Sequence, residues 1–519
     1  MKGLTRSFWA WGFEERFPDV AARAKLAERV GFLLGSAELA ARTPAPAPTL
    51  AEARVPPPRV SIPQPLAGFS SASSEARVRH TYGRAFPDLV RGFRGDFSAA
   101  PDFVIEPATE AEVELSLRVC EAEGIACVPY GGGTSVVGGV EARTAHRATL
   151  SLRRLSGLLE LDPVSRSARF GAGTTGPDLE AALRPHGLTL RHYPQSYELS
   201  TLGGWIATRA GGHFSTLYTH IDDHTEAVRM VTPRGVIATR RVAASGAGPS
   251  PLSLVLGSEG ALGVITEAWV RVRELPRWRA RATVRFPSFA EGAEGVRAIA
   301  QAHLHPATCR LLDPVECLFA SIPTDGKSSV LLLGFESADR PPEADLERAI
   351  DLAEHAGGHC DHDPETHADA DALASYRQGF FDGPYLQSAL VTLGVFADTF
   401  ETSCTWSSFA ALDARLRAAF AQELTARGLA GVLACRFTHV YAGGPAPYYT
   451  MVVDPRGADL IELWHALKER MSGELHEAGA TITHHHAVGR THRPWYEREA
   501  GEALVSALRG AKSALDPAG

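Results

Sequence analysis

The sequence predicts an α+β protein: a glycine-punctuated region of alternating strands and helices, a larger region built on an antiparallel sheet, and a helical and extended arm in front of both. Three observations carry this. Between about residues 80 and 275, short β-like runs alternate with helices and are interrupted by glycine clusters. From about 276 to 480 those clusters stop, and long helices alternate with runs such as SVLLLGFES, the pattern of an antiparallel sheet covered by helices on one side. Before both, the prolines of TPAPAPTLAEARVPPPRVSIPQP forbid helix and sheet alike. The expected divisions are 1–78, 79–275, 276–480 and 481–519.

In the arm, residues 20 to 42 read as helical and the proline-rich stretch after them as an extended strap. WAWGF sets Trp9, Trp11 and Phe13 on one face of an extended segment; packing onto a neighbouring domain or subunit is favoured over membrane contact, which stays open. FVIEP at 103 to 107 is a strand, 109 to 124 a helix bearing Val113, Leu115 and Val119, and IACVPY a strand entering the first glycine cluster. ATLSL and SARFGAG continue the β runs, and GPDLEAALRPHG is a helix ended by Gly187. In the larger region helices are expected at 289 to 303, 343 to 356, 409 to 428 and 457 to 478. The last 39 residues, which with Ala480 open on ATITHHHAVG, read as a strand, close on a helix.

A chain of 519 residues, 45% hydrophobic, predicts two to four domains with full-sized cores. Net charge is −8 and the Lys and Arg residues are scattered, which leaves no nucleic-acid footprint. The seven cysteines are widely and irregularly spaced with no CxxC, against a disulfide framework or a cysteine zinc site and for a reducing compartment. Glu14, Glu15 and Arg16 break the amino terminus before a signal-peptide core can form. No window reaches the roughly 18 apolar residues of a membrane span, and LDPAG is not a peroxisomal address, so the cytoplasm is expected.

The most informative stretch is VPYGGGTSVVGGV at 128 to 140. Three glycines after an apolar run bring backbone with no Cβ to the end of a strand. Such backbone can turn successive N–H groups toward one anion, with the Thr134 and Ser135 hydroxyls as further donors, and a diphosphate fits that nest. A ligand-free tight turn is the bland alternative for GGG alone. The stretch matches neither the Walker spacing nor the GxGxxG of a Rossmann helix.

With PQSYELSTLGGWIATRAGG at 194 to 212 and GSEGALGVIT at 257 to 266, it resembles the flavin domain of FAD enzymes of the vanillyl-alcohol-oxidase type. Within that superfamily the carboxy-terminal ITHHHAVGR is similar to the alkyldihydroxyacetonephosphate synthases. The likeness covers roughly residues 80 to 500. It implies a two-lobed FAD-binding domain, with FAD between the lobes, and a cap domain shaping the substrate cavity. By residue, it implies that Pro129, Tyr130, Gly131, Gly132, Gly133, Thr134 and Ser135 hold the diphosphate. Gln195, Ser196, Glu198, Ser200 and Thr201 would bond phosphate, ribitol or adenosine, although the synthases have Asp where Gln195 stands. Gly203 and Gly204 would let the backbone pass the flavin ring, with Thr208 and Arg209 as donors, Arg209 pairing with the diphosphate. Glu259, Gly260, Gly263, Val264 and Ile265 would surround adenine and ribose. His192, His213 and His220 lie near these motifs as conceivable covalent attachment points, but noncovalent FAD is expected.

In ATITHHHAVG, period-two alternation would put His484 and His486 on one strand face and His485 on the other. Paired histidines invite a metal, with hydrogen-bonding core histidines as the alternative. Flavin-linked 2-hydroxy-acid dehydrogenases, which resemble this cap too, complete a metal site with a His, a second His seven positions on, and a Glu. Here His439 matches the first, Ala446 stands at the second, and the HHH run replaces the Glu, so no metal is expected. In the synthases the three histidines lie beside the flavin with a cap tyrosine, which corresponds to Tyr448. A phenol needs His⁺ neighbours or a hydrogen-bond relay to act as base near neutrality, and His485 and His486 are the natural partners. Tyr449, on the other strand face, and Tyr441 are expected in packing roles. Arg310 matches a synthase arginine that would orient substrate or flavin. A second synthase arginine, for the leaving carboxylate, is replaced by Gln387, which can donate but carries no charge. Ala487 for Gly and Thr483 for Ser are milder departures.

The implied reaction is an exchange with no net redox change: the acyl chain of acyl-dihydroxyacetone phosphate leaves and a fatty alcohol takes its place, after loss of a proton from the carbon beside the ketone. Two rivals stay open: an FAD-linked oxidase or dehydrogenase of a hydroxy acid or alcohol, and a flavin-binding protein without catalysis. Lipid-like substrates, a homodimer and peripheral membrane contact complete the expectations, with no nucleic-acid partner.

Overall fold

A computed structural model describes residues 3–141, 143–360 and 368–519. In the glycine-punctuated region two sheets form two lobes. In the first, Phe103–Ile105, Arg147–Ser151 and Ala126–Tyr130 run parallel, and Ser70–Ser71 adds an antiparallel edge. The crossover helix Glu110–Ala122 starts where the Thr109 side chain accepts from Glu112 N, and packs Val113, Leu117 and Cys120 against Ile105 and Leu150. The second sheet is antiparallel, in the order Leu158–Asp162, Ser167–Gly171, Val264–Arg271, Thr225–Thr232, Gly235–Ala238. Its core joins Phe170, Met230 and Val270 to Leu179 and Leu183 of Gly176–Leu183 and to Leu202 and Trp205 of Leu202–Thr208.

The cap is a six-stranded antiparallel sheet ordered Trp278–Phe286, Ser329–Ser337, Thr308–Leu312, Ala430–Tyr441, Gly444–Asp454, Phe396–Glu401. Leu311, Leu331, Phe437 and Tyr449 belong to its face under Phe289–Gln301, Glu343–His355, Trp406–Arg427 and Leu460–Glu477. The expected one-sided cover is corrected here. Leu312, Val330 and Leu332, of the opposite parity, pack with Cys317 of Pro314–Phe319 and Tyr376 of Ala368–Thr392. Val395, Ala397 and Val452 pack with Ala27 and Val30 of the arm helix Val20–Leu34. The run SVLLLGF is buried at every position, and a strand apolar on both faces needs cover on both.

The arm holds cap and flavin region together. Its helix is opened by the Asp19 side chain, which accepts from Ala22 N, and closed by Gly35 at φ 64°. Ahead of it, Phe8, Trp9, Trp11 and Phe13 are buried in one cluster with Phe86 and Leu89 of the flavin region and Phe396 and Leu412 of the cap. The expected strand at the HHH run does not form: residues 481 to 487 are irregular backbone. The closing helix Arg493–Leu515, broken at Gly501 (φ 76°), brings Ala511 and Leu515 against the second lobe's core.

Candidate active site

A cavity of ≈ 870 Å³ lies between the two lobes and the cap sheet. All three glycine segments reach it, and they touch one another. A Cβ on Gly131 would stand 2.3 Å from Thr201 Oγ1, on Gly132 2.2 Å from Leu199 O, and on Gly133 (φ 58°) 1.9 Å from the Tyr130 hydroxyl. Gly203 has the same relation to Ala172, at 2.7 Å, and Gly260 (φ 79°) to Pro129, at 3.1 Å. Cβ-free backbone is thus packed tightly against neighbouring protein atoms around the cavity where a diphosphate needs close approach, and the residues present fit an FAD. Thr134 and Ser135 line the cavity from the first segment; Gln195, Ser196, Ser200, Gly204 and Thr208 from the second; Gly263 and Ile265 from the third.

Four expected cofactor contacts lie elsewhere. Glu198 pairs with Arg16 at 2.5 Å. Thr201 caps Leu202–Thr208, accepting from Gly204 N, and fills the space beside Gly131. Arg209 ends that helix in the left-handed conformation (φ 53°), which turns its side chain, 64% exposed, outward to Asp222 at 2.7 Å. Val264 is packed in the first lobe's core. Two further residues line the cavity with their polar groups already engaged. The Glu259 carboxylate, its pKa raised by burial, accepts from Val488 N at 2.8 Å and Gly489 N at 2.9 Å, tethering the carboxy-terminal loop. Gln195 Nε2 donates to Phe380 O at 2.8 Å. His192, His213 and His220 are outside the cavity lining.

On the cap side, strand register sets the polar groups. Tyr448 lies across from Arg436 on one neighbouring strand and from Glu401 on the other. Its hydroxyl donates to Thr399 Oγ1 at 2.9 Å, and the Arg436 guanidinium carbon sits 4.0 Å from its ring centroid. Burial pushes this phenol up to about 12, against the opposing pull of Arg436. Burial holds His484 and His486 well below the usual imidazole range. The cation beside Tyr448 is therefore Arg436, and of the two expected partners, His485 and His486, the expected His⁺ support from His486 is corrected. Arg436 itself is compensated, at 2.9 Å from both oxygens of Glu316.

Arg310 is not. It is 2% exposed, donates once, to His213 O at 2.6 Å, and its Nε and Nη1 have no partner among the described residues. A buried guanidinium on a cavity wall with two idle donors is a seat for an anion. Gln387 also lines the cavity, but its amide is occupied: Oε1 accepts from Trp11 Nε1 at 3.2 Å, and Nε2 donates to Ala397 O at 2.9 Å.

The HHH run is folded around a residue that sequence reading missed. Glu401, 2% exposed, accepts from His484 N at 2.7 Å, His485 N at 3.1 Å, His486 N at 3.0 Å and Thr483 Oγ1 at 2.5 Å. These bonds replace a strand ladder, which is why the run is a loop and the alternation fails. His485 and His486 face the cavity, with rings 6.0 and 5.4 Å from that of Tyr448. His484 turns away, to Tyr441, whose hydroxyl meets His484 Nε2 at 2.6 Å and also bonds His220 Nε2. Tyr441 is thus no packing residue, whereas Tyr449 is fully buried and donates to Asp413. Ligand atoms of His439, His484 and His485 lie within 4.8 Å of one another, a grouping that could hold a metal ion, while Ala446 stands across the ladder from His439. The only signal for Glu401 was an acidic residue closing the strand Phe396–Glu401.

A glycine cradle between two lobes, closed by an antiparallel cap, defines a flavoprotein with a substrate chamber. Comparison agrees: a model described as "FAD binding domain" matches residues 101–240, and one described as "FAD linked oxidases, C-terminal domain" matches 275–519. The chain belongs to the FAD-linked oxidase family and is an FAD-binding flavoenzyme. It is 30% identical over 476 residues to alkyldihydroxyacetonephosphate synthase of Caenorhabditis elegans, covering 86% of this chain and 80% of that one. It is 27% identical over 429 residues to glycolate oxidase subunit GlcD of Bacillus subtilis (strain 168), covering 81% and 88%. A solved alkyldihydroxyacetonephosphate synthase shares the fold, with a TM-score of 0.82 at 23% identity over 99% of this chain and 97% of that one.

Proposed function

We propose that this flavoenzyme exchanges the acyl chain of acyl-dihydroxyacetone phosphate for a fatty alcohol, with no net oxidation. The observation that carries the reading is the make-up of the cavity wall: besides Tyr448 and Arg310 it includes Leu26, Val30 and Leu33 of the arm helix and Leu318, Phe319 and Leu390 of two cap helices, an apolar share that suits a hydrocarbon chain. A hydroxy acid has nothing to place there, whereas an acyl or alkyl chain does. The likeness to the synthase relative points the same way.

Residues 129 to 135 would bind the diphosphate of noncovalent FAD, which would supply an electrophilic ring for the reaction. Arg310 would take the substrate's anionic group with its two idle donors. Tyr448, as phenolate, would remove the proton next to the ketone, with Arg436 stabilising the charge across the ring face. Its proton would pass on to His485 or His486, whose rings lie 6.0 and 5.4 Å from that of Tyr448, since burial disfavours a lasting phenolate.

The redox alternative, oxidation of a hydroxy acid or alcohol, is kept for the likeness to the glycolate oxidase subunit and for Gln387, which lacks the charge to hold a carboxylate. One experiment separates the two. Purified protein is mixed anaerobically with acyl-dihydroxyacetone phosphate and a fatty alcohol, and separately with 2-hydroxy acids, while the flavin absorbance is followed. Free fatty acid and ether product without lasting bleaching support the exchange. Full two-electron bleaching with a keto acid product overturns it.

A further inference from the structure

We infer that His485, His484, Tyr441 and His220 form a proton relay from the cavity to solvent, which carries away the proton removed from the substrate. The inference rests on the proposed exchange reaction for its use, though not for its geometry.

The contacts are continuous. His485 Nδ1 meets His484 Nδ1 at 3.0 Å, His484 Nε2 meets the Tyr441 hydroxyl at 2.6 Å, and the same hydroxyl bonds His220 Nε2. Tyr441 is 37% exposed and His220 beside it is half-buried, so the outer end of the chain reaches the surface, while His485 lines the cavity with its ring stacked toward Tyr448. His439, packed beside the chain, stays out of it: its nitrogens meet Thr438 Oγ1 and Gly212 O.

Hydrogen counting fixes how the chain is filled. A hydroxyl has one hydrogen, so Tyr441 donates to one imidazole and accepts from the other. Only one of the two facing Nδ1 atoms can carry a proton. The chain therefore has two self-consistent fillings, and Glu401 selects between them. Its Oε2 lies 3.4 Å from His485 Nδ1, which favours the hydrogen on that nitrogen and leaves His485 Nε2 as a bare base for the cavity. His484 then carries its hydrogen on Nε2 and donates to Tyr441, and Tyr441 donates to His220 Nε2.

A proton taken up at His485 Nε2 sends the Nδ1 proton to His484, the His484 Nε2 proton to the Tyr441 oxygen, and the Tyr441 hydroxyl proton to His220. One proton enters, one leaves from His220 to water, and no electrons move. Burial keeps His484 and His220 neutral, as a relay requires; His220 is pulled down to about 4. Neither Tyr441 nor His220 touches the cavity, so both act through His485.

The test is Tyr441→Phe, which keeps the ring and removes the one linking hydroxyl. In D2O, with acyl-dihydroxyacetone phosphate, wash-in of deuterium beside the ketone is measured by mass spectrometry. It should slow by about tenfold or more, at unchanged flavin content and KM, and free imidazole in the buffer should restore it. Unchanged wash-in overturns the relay, and so does slow wash-in that imidazole fails to restore. A second readout needs no turnover: ¹⁵N-histidine spectra of the FAD-loaded protein, assigned with single His→Gln variants, should show His485 protonated at Nδ1 and His484 at Nε2, with the His484 signal moving in Tyr441→Phe. The opposite tautomers, or stoichiometric zinc on these rings, overturn the relay. If the unaltered enzyme gives no wash-in while the tautomers are as stated, it is the exchange reaction that fails, and the hydrogen-bonded chain stands.

Discussion

Gly132→Val is the sharpest probe of the cofactor cradle. The first added carbon would lie 2.2 Å from Leu199 O, 2.7 Å from Ser200 Cα and 2.9 Å from Leu199 C. All three are backbone atoms, so no side chain can rotate away, and either the loop or residues 199–200 must move by about an ångström before valine's two methyls are added. Overpacking of this kind costs about 1–3 kcal/mol in stability, which a protein of this size can absorb. The cofactor suffers more. If the shift breaks two charge-assisted N–H bonds to the diphosphate, each worth about 1.5–3 kcal/mol, FAD affinity falls by roughly 10²- to 10⁴-fold. The assay is the ratio of flavin to protein absorbance after purification, followed by equilibrium dialysis against FAD and then FMN, with a melting curve to show that the variant is folded. A folded, colourless protein is expected, and FAD rather than FMN should bind the unaltered enzyme, because FMN has one phosphate. A Gly132→Val protein with full flavin content and unchanged affinity would refute the assignment of this loop as the cradle.

Tyr448→Phe should leave flavin content and fold intact, since the ring keeps its place over Arg436, yet lower turnover by at least ~10²-fold; combined with His486→Ala it should cost much less than the two losses added, which steady-state rates will decide. Glu401→Gln tests the anchor of the histidine loop by pH: burial raises this carboxyl but the adjacent His485 and the N–H donors of the run win, holding it well below its ordinary 4.5. Its contribution is therefore complete above pH 4.5 and fades below it, so urea midpoints of the two proteins should differ by a constant amount at neutral pH and converge in acid. Activity and flavin content should survive prolonged chelation, because both nitrogens of His439 and of His484 are already hydrogen-bonded; elemental analysis showing one zinc per chain, with activity lost on its removal, would contradict this.

The sequence displayed the fold where local rules decide it. Thr109 and Gly187 mark helix ends, and the GGG run could hardly serve as anything but close-packed backbone. It misled where a distant partner overrides the local preference. ATITHHHAVG alternates like a strand, but Glu401, more than eighty residues away, captures its N–H groups and bends it into a loop. Arg209 sits inside the flavin motif, yet a left-handed helix end swings it to Asp222. Tyr441 looked like packing because nothing local announces the two histidines that share its hydroxyl.

The arm has a consequence for how the protein comes to be made. Trp11 and Phe13 leave the ribosome well before the groups that receive them, Tyr385, Gln387 and Ser388, which follow more than 370 residues later. At about 5–20 residues per second, that delay is on the order of 20–80 seconds. Throughout it, four aromatic side chains that end as mortar between two domains are without their cap partners, in a nascent chain that holds an apolar patch it cannot yet bury. Each completed molecule has therefore passed through a long window in which a chaperone, or a neighbouring nascent chain, competes for the same surface.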